Sequence, residues 1–335
     1  MTKIFISGEI PDVGYELLSD YNLEVYKGEE LITEEELISG VSNADALLSP
    51  LSTKVTRKVI ESAPNLKVIA NFGAGFDNID IEAAKENNIE VTNTPGVSTD
   101  STAELTMGLM LALTRRIPEG DTLCRTTGFN GWAPLFFLGK ELTNKKLGIV
   151  GFGKIGQAVA KRAKAFGMDI YYTGRNRKAT EVEEKYDATY LDFTELLKTC
   201  DVITVHTAYN EETHHLFTKR EFATMKKEAY FLNLSRGPVV KELDLVEALK
   251  TKEIHGAALD VFEFEPHITE ELKQFQNLVI TPHIGNATIE TRNQMAKLSA
   301  QNIISVIEHK KNADTCILGT RGQFCPSCSQ NLEGT

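Results

Sequence analysis

Short apolar runs alternate with amphipathic stretches from the first residues of the chain. Runs rich in β-formers fall at 3–7, 23–27, 46–49, 66–71 and 89–93, with helical spacing between them at 13–20, 34–41, 55–63 and 81–86. Thr33 followed by Glu36 has the spacing of a capping box at the start of the second helix. Strands separated by helices and short turns predict a parallel sheet covered by helices. From 98 to about 116 the pattern changes to one long helix, apolar on more than one face between Ala103 and Leu113. All-round hydrophobicity says only that such a helix is buried, so a core helix and a dimer seam both remain open. A second alternation follows, with strands at 147–150, 169–173, 202–206, 230–233, 256–260 and 278–281. A last helix, 288–309, comes after the second sheet with too little chain left to build a further domain. Residues 312–335 carry no periodicity and read as a disordered tail.

This pattern divides 335 residues into two α/β domains, in keeping with about 150 residues per domain. The net charge of -11 disfavours nucleic acid and membrane surfaces as partners. No apolar run approaches the roughly 18 residues needed to span a bilayer, and the N-terminus enters a strand directly, which reads as a cytoplasmic chain. Five cysteines are too sparse for a disulfide scaffold. Cys325 and Cys328, with Cys316 and His309 upstream, lack the second Cys pair of a zinc site, so no metal is expected.

The second alternation carries the clearest chemistry. The strand Lys146-Leu147-Gly148-Ile149-Val150 runs straight into Gly151-Phe152-Gly153-Lys154-Ile155-Gly156, and a helical stretch follows. Strand, G-x-G-x-x-G and helix in immediate succession are the context a dinucleotide fingerprint requires. Gly151 permits the tight turn, Gly153 the approach of a pyrophosphate and Gly156 close helix–strand packing, with Lys154 and Ile155 in the same turn. The helix N-terminus offers N–H groups to the phosphates. The next strand ends in Gly174-Arg175-Asn176-Arg177-Lys178, where an NAD site usually presents an acid to the ribose. Arg175, Arg177 and Lys178 in that place favour NADP(H), with NAD(H) still possible. His206, at the end of the 202–206 run, is placed on the cofactor side.

Three further polar residues lie just past later strands, where open α/β sheets bind their ligands. Arg236 follows the 230–233 strand, Glu265 follows Asp260-Val261-Phe262-Glu263-Phe264, and His283 follows Thr281-Pro282. A guanidinium fork binds a carboxylate bidentately, an imidazole exchanges a hydroxyl proton near neutral pH, and a carboxylate orients the imidazole. Facing a nicotinamide, these three groups make a 2-oxoacid reductase. Any one of them alone would read as an ordinary surface or core residue.

The chain resembles the D-isomer-specific 2-hydroxyacid dehydrogenases over about residues 1–311. The resemblance rests on Phe72-Gly73-Ala74-Gly75-Phe76-Asp77-Asn78-Ile79-Asp80, Gly151 to Gly156, Asn233-Leu234-Ser235-Arg236-Gly237, the Leu259 to Pro266 segment, and Pro282-His283-Ile284-Gly285. It implies a flavodoxin-like substrate domain, 1–98 and 287–311, with a Rossmann domain, 99–286, inserted in it and a cleft between them. It implies Arg236 as substrate binder, His283 as acid/base and Glu265 as its partner. Ala74 and Gly75 are implied as a second carboxylate clamp, and Leu234, Ser235, Asp260 and Gly285 as cofactor contacts, with Ser235 and Asp260 on the nicotinamide side. It further implies a homodimer. The 131–139 segment and the 172–175 strand end look like the glyoxylate/hydroxypyruvate reductase branch, and Glu265 departs from the Gln of the formate dehydrogenase branch. The expected activity is therefore reduction of a short 2-oxoacid to the D-2-hydroxyacid. Leu51 with Trp132, Phe136 and Phe137 leaves open a reductase of branched-chain or aromatic 2-oxoacids. A non-enzymatic, NAD(H)-sensing co-repressor is the alternative of another class.

Overall fold

The computed structural model describes residues 1–308 and the backbone of 316–318. In chain order the first elements are β1 (Lys3–Ile6), α1 (Asp12–Leu17), β2 (Asn22–Val25), α2 (Glu34–Val41), β3 (Ala46–Pro50), α3 (Arg57–Glu61), β4 (Val68–Phe72), α4 (Ile81–Glu86) and β5 (Glu90–Thr92). Next come α5 (Thr99–Thr114), α6 (Ile117–Arg125), β6 (Lys146–Val150), α7 (Lys154–Ala165), β7 (Asp169–Thr173), α8 (Thr180–Tyr186), β8 (Ala188–Tyr190) and α9 (Phe193–Thr199). The chain continues through β9 (Val202–Val205), α10 (Lys219–Thr224), β10 (Tyr230–Asn233), α11 (Glu242–Lys250), β11 (Gly256–Leu259), β12 (Leu278–Ile280), α12 (Ile289–Ile307) and β13 (Cys316–Leu318). Among the described residues two compact units result, one from Met1–Ser98 together with the helix-bearing segment that starts at Ala287, the other from Thr99–Asn286.

The sheet of the first unit runs β13-β5-β4-β3-β1-β2. Its five parallel strands have the flavodoxin order 2-1-3-4-5. Ile4, Ile6, Ala46, Leu48, Val68 and Ala70 line one face of this sheet with α12 residues Met295, Ala296, Ala300 and Ile303, while Phe5, Leu47 and Ile69 pack on the other. Burial on both faces explains why these strands read as continuous apolar runs. The Thr33–Glu36 capping box closes at the start of α2, where Thr33 N–H and hydroxyl donate to Glu36 and Glu36 N–H donates back.

One expectation for the tail needs correction. Cys316–Leu318, within the segment expected to be disordered, pair antiparallel with β5. The outer edge of β5 presents unpaired N–H and C=O groups that a short extended segment can satisfy. Three residues are too few for periodicity to reveal. Cys325, Cys328 and His309 lie outside the described residues.

The second unit holds seven parallel strands in the order β12-β11-β10-β9-β6-β7-β8. The order reverses between β6 and β9, both of which pair in register from Leu147 with Val202 to Val150 with Val205. That reversal is the crevice where doubly wound sheets bind ligands, at the C-terminal strand ends. Phe217, Phe222 and Phe231 fill one face of the sheet, and Tyr172, Leu147 and Leu232 the other. Full burial of one such side chain contributes about 1.5–3 kcal/mol. α5 belongs to this second core: Ala103, Met107, Met110 and Leu113 are buried in it, while Glu104 and Gly108 face outward. No helix among the described residues is long and apolar enough to cross a membrane.

Candidate active site

The C-terminal ends of β6, β7, β9, β10, β11 and β12 deliver the predicted site residues of the second unit. After β6, Gly151 adopts φ +96, a conformation L side chains rarely take. A Cβ there would lie 2.7 Å from the His206 carbonyl, and one on Gly156 only 2.3 Å from the Gly151 oxygen. Gly153 caps α7, whose first turn carries no acidic residue, so its free N–H groups and dipole favour an anion. Phe152 is buried and stacks on Tyr172 with ring centroids 4.3 Å apart. Lys154 is exposed and Ile155 packs partly on the core.

Beside this turn, His206 is buried and its Nε2 lies 2.9 Å from Thr204 Oγ1. Burial holds the ring far below the ordinary imidazole range, at about 3, which leaves it neutral. His206 Nδ1 and Thr207 Oγ1 are buried without a hydrogen-bond partner among the described residues. Orphaned polar atoms next to a glycine turn that tolerates no side chain fit a dinucleotide lying along the strand ends.

At the end of β7, Gly174 has open space around its Cβ position, with nothing nearer than the Asn176 oxygen at 4.0 Å. The three cations predicted there do not behave alike. Arg177 is held by Glu183 through two bonds of 2.9 Å, and Glu183 also accepts the Tyr172 hydroxyl at 2.6 Å. The bonds from Arg177 and Tyr172 hold the Glu183 carboxyl at about 2. Arg175 is exposed and forms a surface pair with Glu212 at 3.0 Å. Such a pair contributes little and is readily exchanged for another anion. Lys178 donates its backbone N–H to Tyr172 and keeps its side chain half-exposed.

After β10, the Asn233 side chain shapes the turn into Arg236. Its Oδ1 accepts the Ser235 N–H and hydroxyl, and its Nδ2 donates to the Arg236 carbonyl at 3.0 Å. Leu234 and Ser235 are buried, and the half-buried Arg236 guanidinium donates to the Ser235 carbonyl. After β11 and β12, Glu265 and His283 meet. Glu265 Oε1 accepts the Phe262 N–H at 2.9 Å, and Oε2 lies 2.9 Å from His283 Nδ1. An ionised carboxylate only accepts, so the Nδ1 proton points at Glu265 and Nε2 is turned to the other side of the ring. Burial alone would raise the Glu265 carboxyl. The bond and charge of His283, the Phe262 amide and the nearby Arg236 outweigh it and hold the group below its ordinary value.

His283 itself adopts φ +53. Asp260, 2 % exposed, holds that turn: it accepts the Thr281 hydroxyl at 2.6 Å and the Ile284 and Gly285 amides, each at 2.8 Å. Burial raises the Asp260 carboxyl despite those donors and the charge of His283. Thr102 of α5 donates to the Gly285 carbonyl at 3.1 Å. The grip of Asp260 on the His283 turn and the Asn233 bracket under Arg236 had no local sequence signal.

Leu51, Ala74 and Gly75 belong to the first unit. Leu51 packs against Gly73, whose Cβ would lie 2.4 Å from it. Asn93 and Asn71 donate their amides to the Ala74 and Gly75 carbonyls. Among the described residues no group of three metal-ligating side chains comes together.

Residues 107–285 match the family model for the NAD binding domain of D-isomer specific 2-hydroxyacid dehydrogenases. A Staphylococcus saprophyticus protein named as a 2-hydroxyacid dehydrogenase is 56% identical over 311 residues, 92% of this chain and 98% of its own. The chain belongs to the D-isomer specific 2-hydroxyacid dehydrogenase family. It is thus an oxidoreductase acting on CH–OH with a nicotinamide dinucleotide. A glyoxylate reductase from Paecilomyes thermophila superposes with a TM-score of 0.83 at 34% identity, covering 94% of this chain and 98% of its own. An NADPH-dependent glyoxylate/hydroxypyruvate reductase from Sinorhizobium meliloti, solved with NADP and malonate, gives 0.81 at 27%, covering 97% and 98%. A D-lactate dehydrogenase from Aquifex aeolicus, solved with NAD and lactic acid, gives 0.84 at 28%, covering 95% and 99%. These relatives are named as enzymes, which carries the catalytic reading forward over a nucleotide-sensing scaffold.

Proposed function

We propose that the protein reduces a short 2-oxoacid of the glyoxylate or hydroxypyruvate type to the D-2-hydroxyacid, with NADPH preferred over NADH. The observation that carries the reading is the Glu265–His283 pair, 2.9 Å apart, in the same unit as Arg236 and the Gly151 to Gly156 turn. When bound, the reduced cofactor supplies the hydride. Arg236 binds the substrate carboxylate and draws electron density from the adjacent carbonyl. His283 gives a proton from Nε2 to the carbonyl oxygen as the C–H bond forms at the 2-carbon, and the carbonyl becomes a hydroxyl. Glu265 fixes the ring through Nδ1, which keeps Nε2 turned away from Glu265 for the proton transfer. Ala74 and Gly75 are proposed to offer amides to the substrate carboxylate, with Leu51 beside them, their carbonyls already being engaged by Asn93 and Asn71.

Gly151, Gly153, Lys154, Ile155 and Gly156 hold the pyrophosphate in this reading, and His206, Leu234, Ser235, Asp260 and Gly285 line the rest of the cofactor. The NADPH preference rests on Arg175 and Lys178, with no acid between Gly174 and Lys178. Arg177 contributes less than its sequence position suggested, because Glu183 holds it. A homodimer is supported by the exposed apolar side chains of Phe129, Trp132, Leu135 and Leu138 on one stretch of the second unit. Cys124 and Cys200, both free thiols, suit the reducing cytoplasm. Initial rates with glyoxylate, hydroxypyruvate, pyruvate and 2-oxoisocaproate, each with NADH and NADPH, test the whole reading. Highest kcat/KM for glyoxylate or hydroxypyruvate with NADPH is expected. Highest kcat/KM for 2-oxoisocaproate would assign the larger, apolar substrate class instead.

A further inference from the structure

Behind Arg236 and Glu265 lies a second His–carboxylate arrangement. His215 adopts φ +50, a backbone conformation uncommon for a residue with a side chain. Its N–H donates to the Pro238 carbonyl at 2.8 Å, two residues beyond Arg236. The strapping continues, with Phe217 N–H donating to Val239 and Lys241 N–H donating to Phe217, both at 3.0 Å. The His215 backbone thereby runs along the segment that leaves Arg236.

The side chain of the same residue reaches the other turn. His215 Nε2 lies 2.6 Å from Glu263 Oε1. Glu263 Oε2 accepts the first amide of α11, Glu242 N–H, at 2.9 Å. In return the Glu263 N–H donates to Glu242 Oε1 at 2.5 Å, and Glu242 Oε2 accepts the Thr269 hydroxyl. Among the described residues each of the four carboxylate oxygens in this pair has one donor, and His215 supplies the one that comes from outside the 242–269 segment. Glu242 is 1 % exposed, so these contacts form with little competition from water. Glu263 lies two residues before Glu265. The two turns also touch: a Cβ on Gly237 would lie 1.8 Å from the Phe262 oxygen, so the Arg236 turn rests directly on the Phe262–Glu263 peptide.

From this geometry we infer that His215 is a positioning residue, which sets the Arg236 turn and the Glu265 loop against each other through one backbone bond and one side-chain bond. The inference rests on the roles given above to Arg236 and Glu265. His214 stacks on His215 with centroids 3.9 Å apart and lies 3.2 Å through Nδ1 from the Tyr209 hydroxyl, which restrains the ring from its outer side. Removing the side chain leaves Glu263 Oε1 without its donor and lets the Glu265 loop drift from the Arg236 turn. Sub-ångström drift in such a site is enough to lower turnover about 10-fold.

The test compares His215→Ala and His215→Gln in the NADPH-bound protein. Both carry the same backbone strain at positive φ, so their difference isolates the side-chain bond, which the Gln amide can remake. His215→Ala is expected to lower kcat/KM for glyoxylate about 10-fold with the NADPH Kd unchanged, and His215→Gln to recover most of the loss. Hydrogen exchange in His215→Ala should quicken at 236–240 and 261–266 and stay unchanged at 151–156. Unaltered exchange in both turns, or equal loss in the two variants with exchange raised throughout the second unit, overturns the proposal. Should His215→Ala not fold, Glu263→Gln is held to the same pattern. His283→Ala run in parallel separates the two levels. Full turnover in His283→Ala defeats the catalytic reading, while the exchange result still decides the role of His215.

Discussion

Replacing Glu265 by Gln removes one charge and almost no volume from the proposed acid/base pair. Glu265 uses one oxygen for the Phe262 N–H and the other for His283 Nδ1, both at 2.9 Å. Gln has a single acceptor oxygen, so it can satisfy one of those donors and presents an N–H to the other. A charge-assisted bond contributes about 1.5–3 kcal/mol and a neutral one about 0.5–1.5. The pair is partly exposed, with side-chain accessibilities of 31% and 36%, so screening favours the lower part of the range. A loss of about 1–2 kcal/mol from the bond that orients the His283 ring for proton transfer corresponds to a kcat about 5- to 30-fold lower. The pH profile adds a second readout. The Glu265 carboxyl is held below its ordinary value, the His283 bond and charge outweighing burial. Its ionised form is therefore complete above the usual carboxylate pKa of about 4.3 and is lost only as pH falls through the lowered value. The acid decline of kcat in the native protein should lie below about pH 4.3 and be absent in Glu265→Gln. Initial rates with glyoxylate and NADPH across the acid and neutral range measure both effects. Turnover within twofold of the native protein at every pH would refute the role of the pair.

Three other perturbations bear on different parts of the site. Gly156→Ala places a Cβ 2.3 Å from the Gly151 oxygen. Overpacking of this kind costs about 1–3 kcal/mol and should raise the NADPH Kd about 10-fold, measured by calorimetry. Asp260→Ala leaves the Thr281 hydroxyl and the Ile284 and Gly285 amides without their acceptor, a loss of about 2–4 kcal/mol in urea unfolding. Gly174→Asp with Arg175→Ala should lower the NADPH/NADH ratio of kcat/KM at least about 10-fold, while Arg177→Ala changes it less than about twofold because Glu183 already holds that guanidinium. An equal effect of Arg177→Ala would show that the cofactor phosphate displaces Glu183.

How far the site was legible depended on how local its causes are. The Gly151 to Gly156 turn could be read directly, because strand, turn and helix are contiguous and each glycine answers a contact within a few residues or at the neighbouring strand end. Glu265 and His283 could be nominated from their places after β11 and β12. Their contact at 2.9 Å required β11 and β12 to lie side by side. Arg177 shows the opposite case: an exposed basic turn looked open to a phosphate, and the fold of α8 against β7 delivers Glu183 to it. His215 carried no sequence signal, since nothing near it in the chain announces Glu263, 48 residues away.

The amino-acid order alone determined the alternation of strands and helices, the parallel sheets, the glycine turn and the strand ends that carry polar groups. Those features follow from hydrophobic periodicity and backbone sterics, which act over a few residues. Tertiary structure decided which polar groups meet. It gave Asp260 the backbone of the His283 turn, bound Arg177 to Glu183, linked His215 to Glu263 and laid Cys316–Leu318 on the free edge of β5. The physical reason is that a hydrogen bond reports distance in space, and only the packed sheet brings positions tens of residues apart within 3 Å.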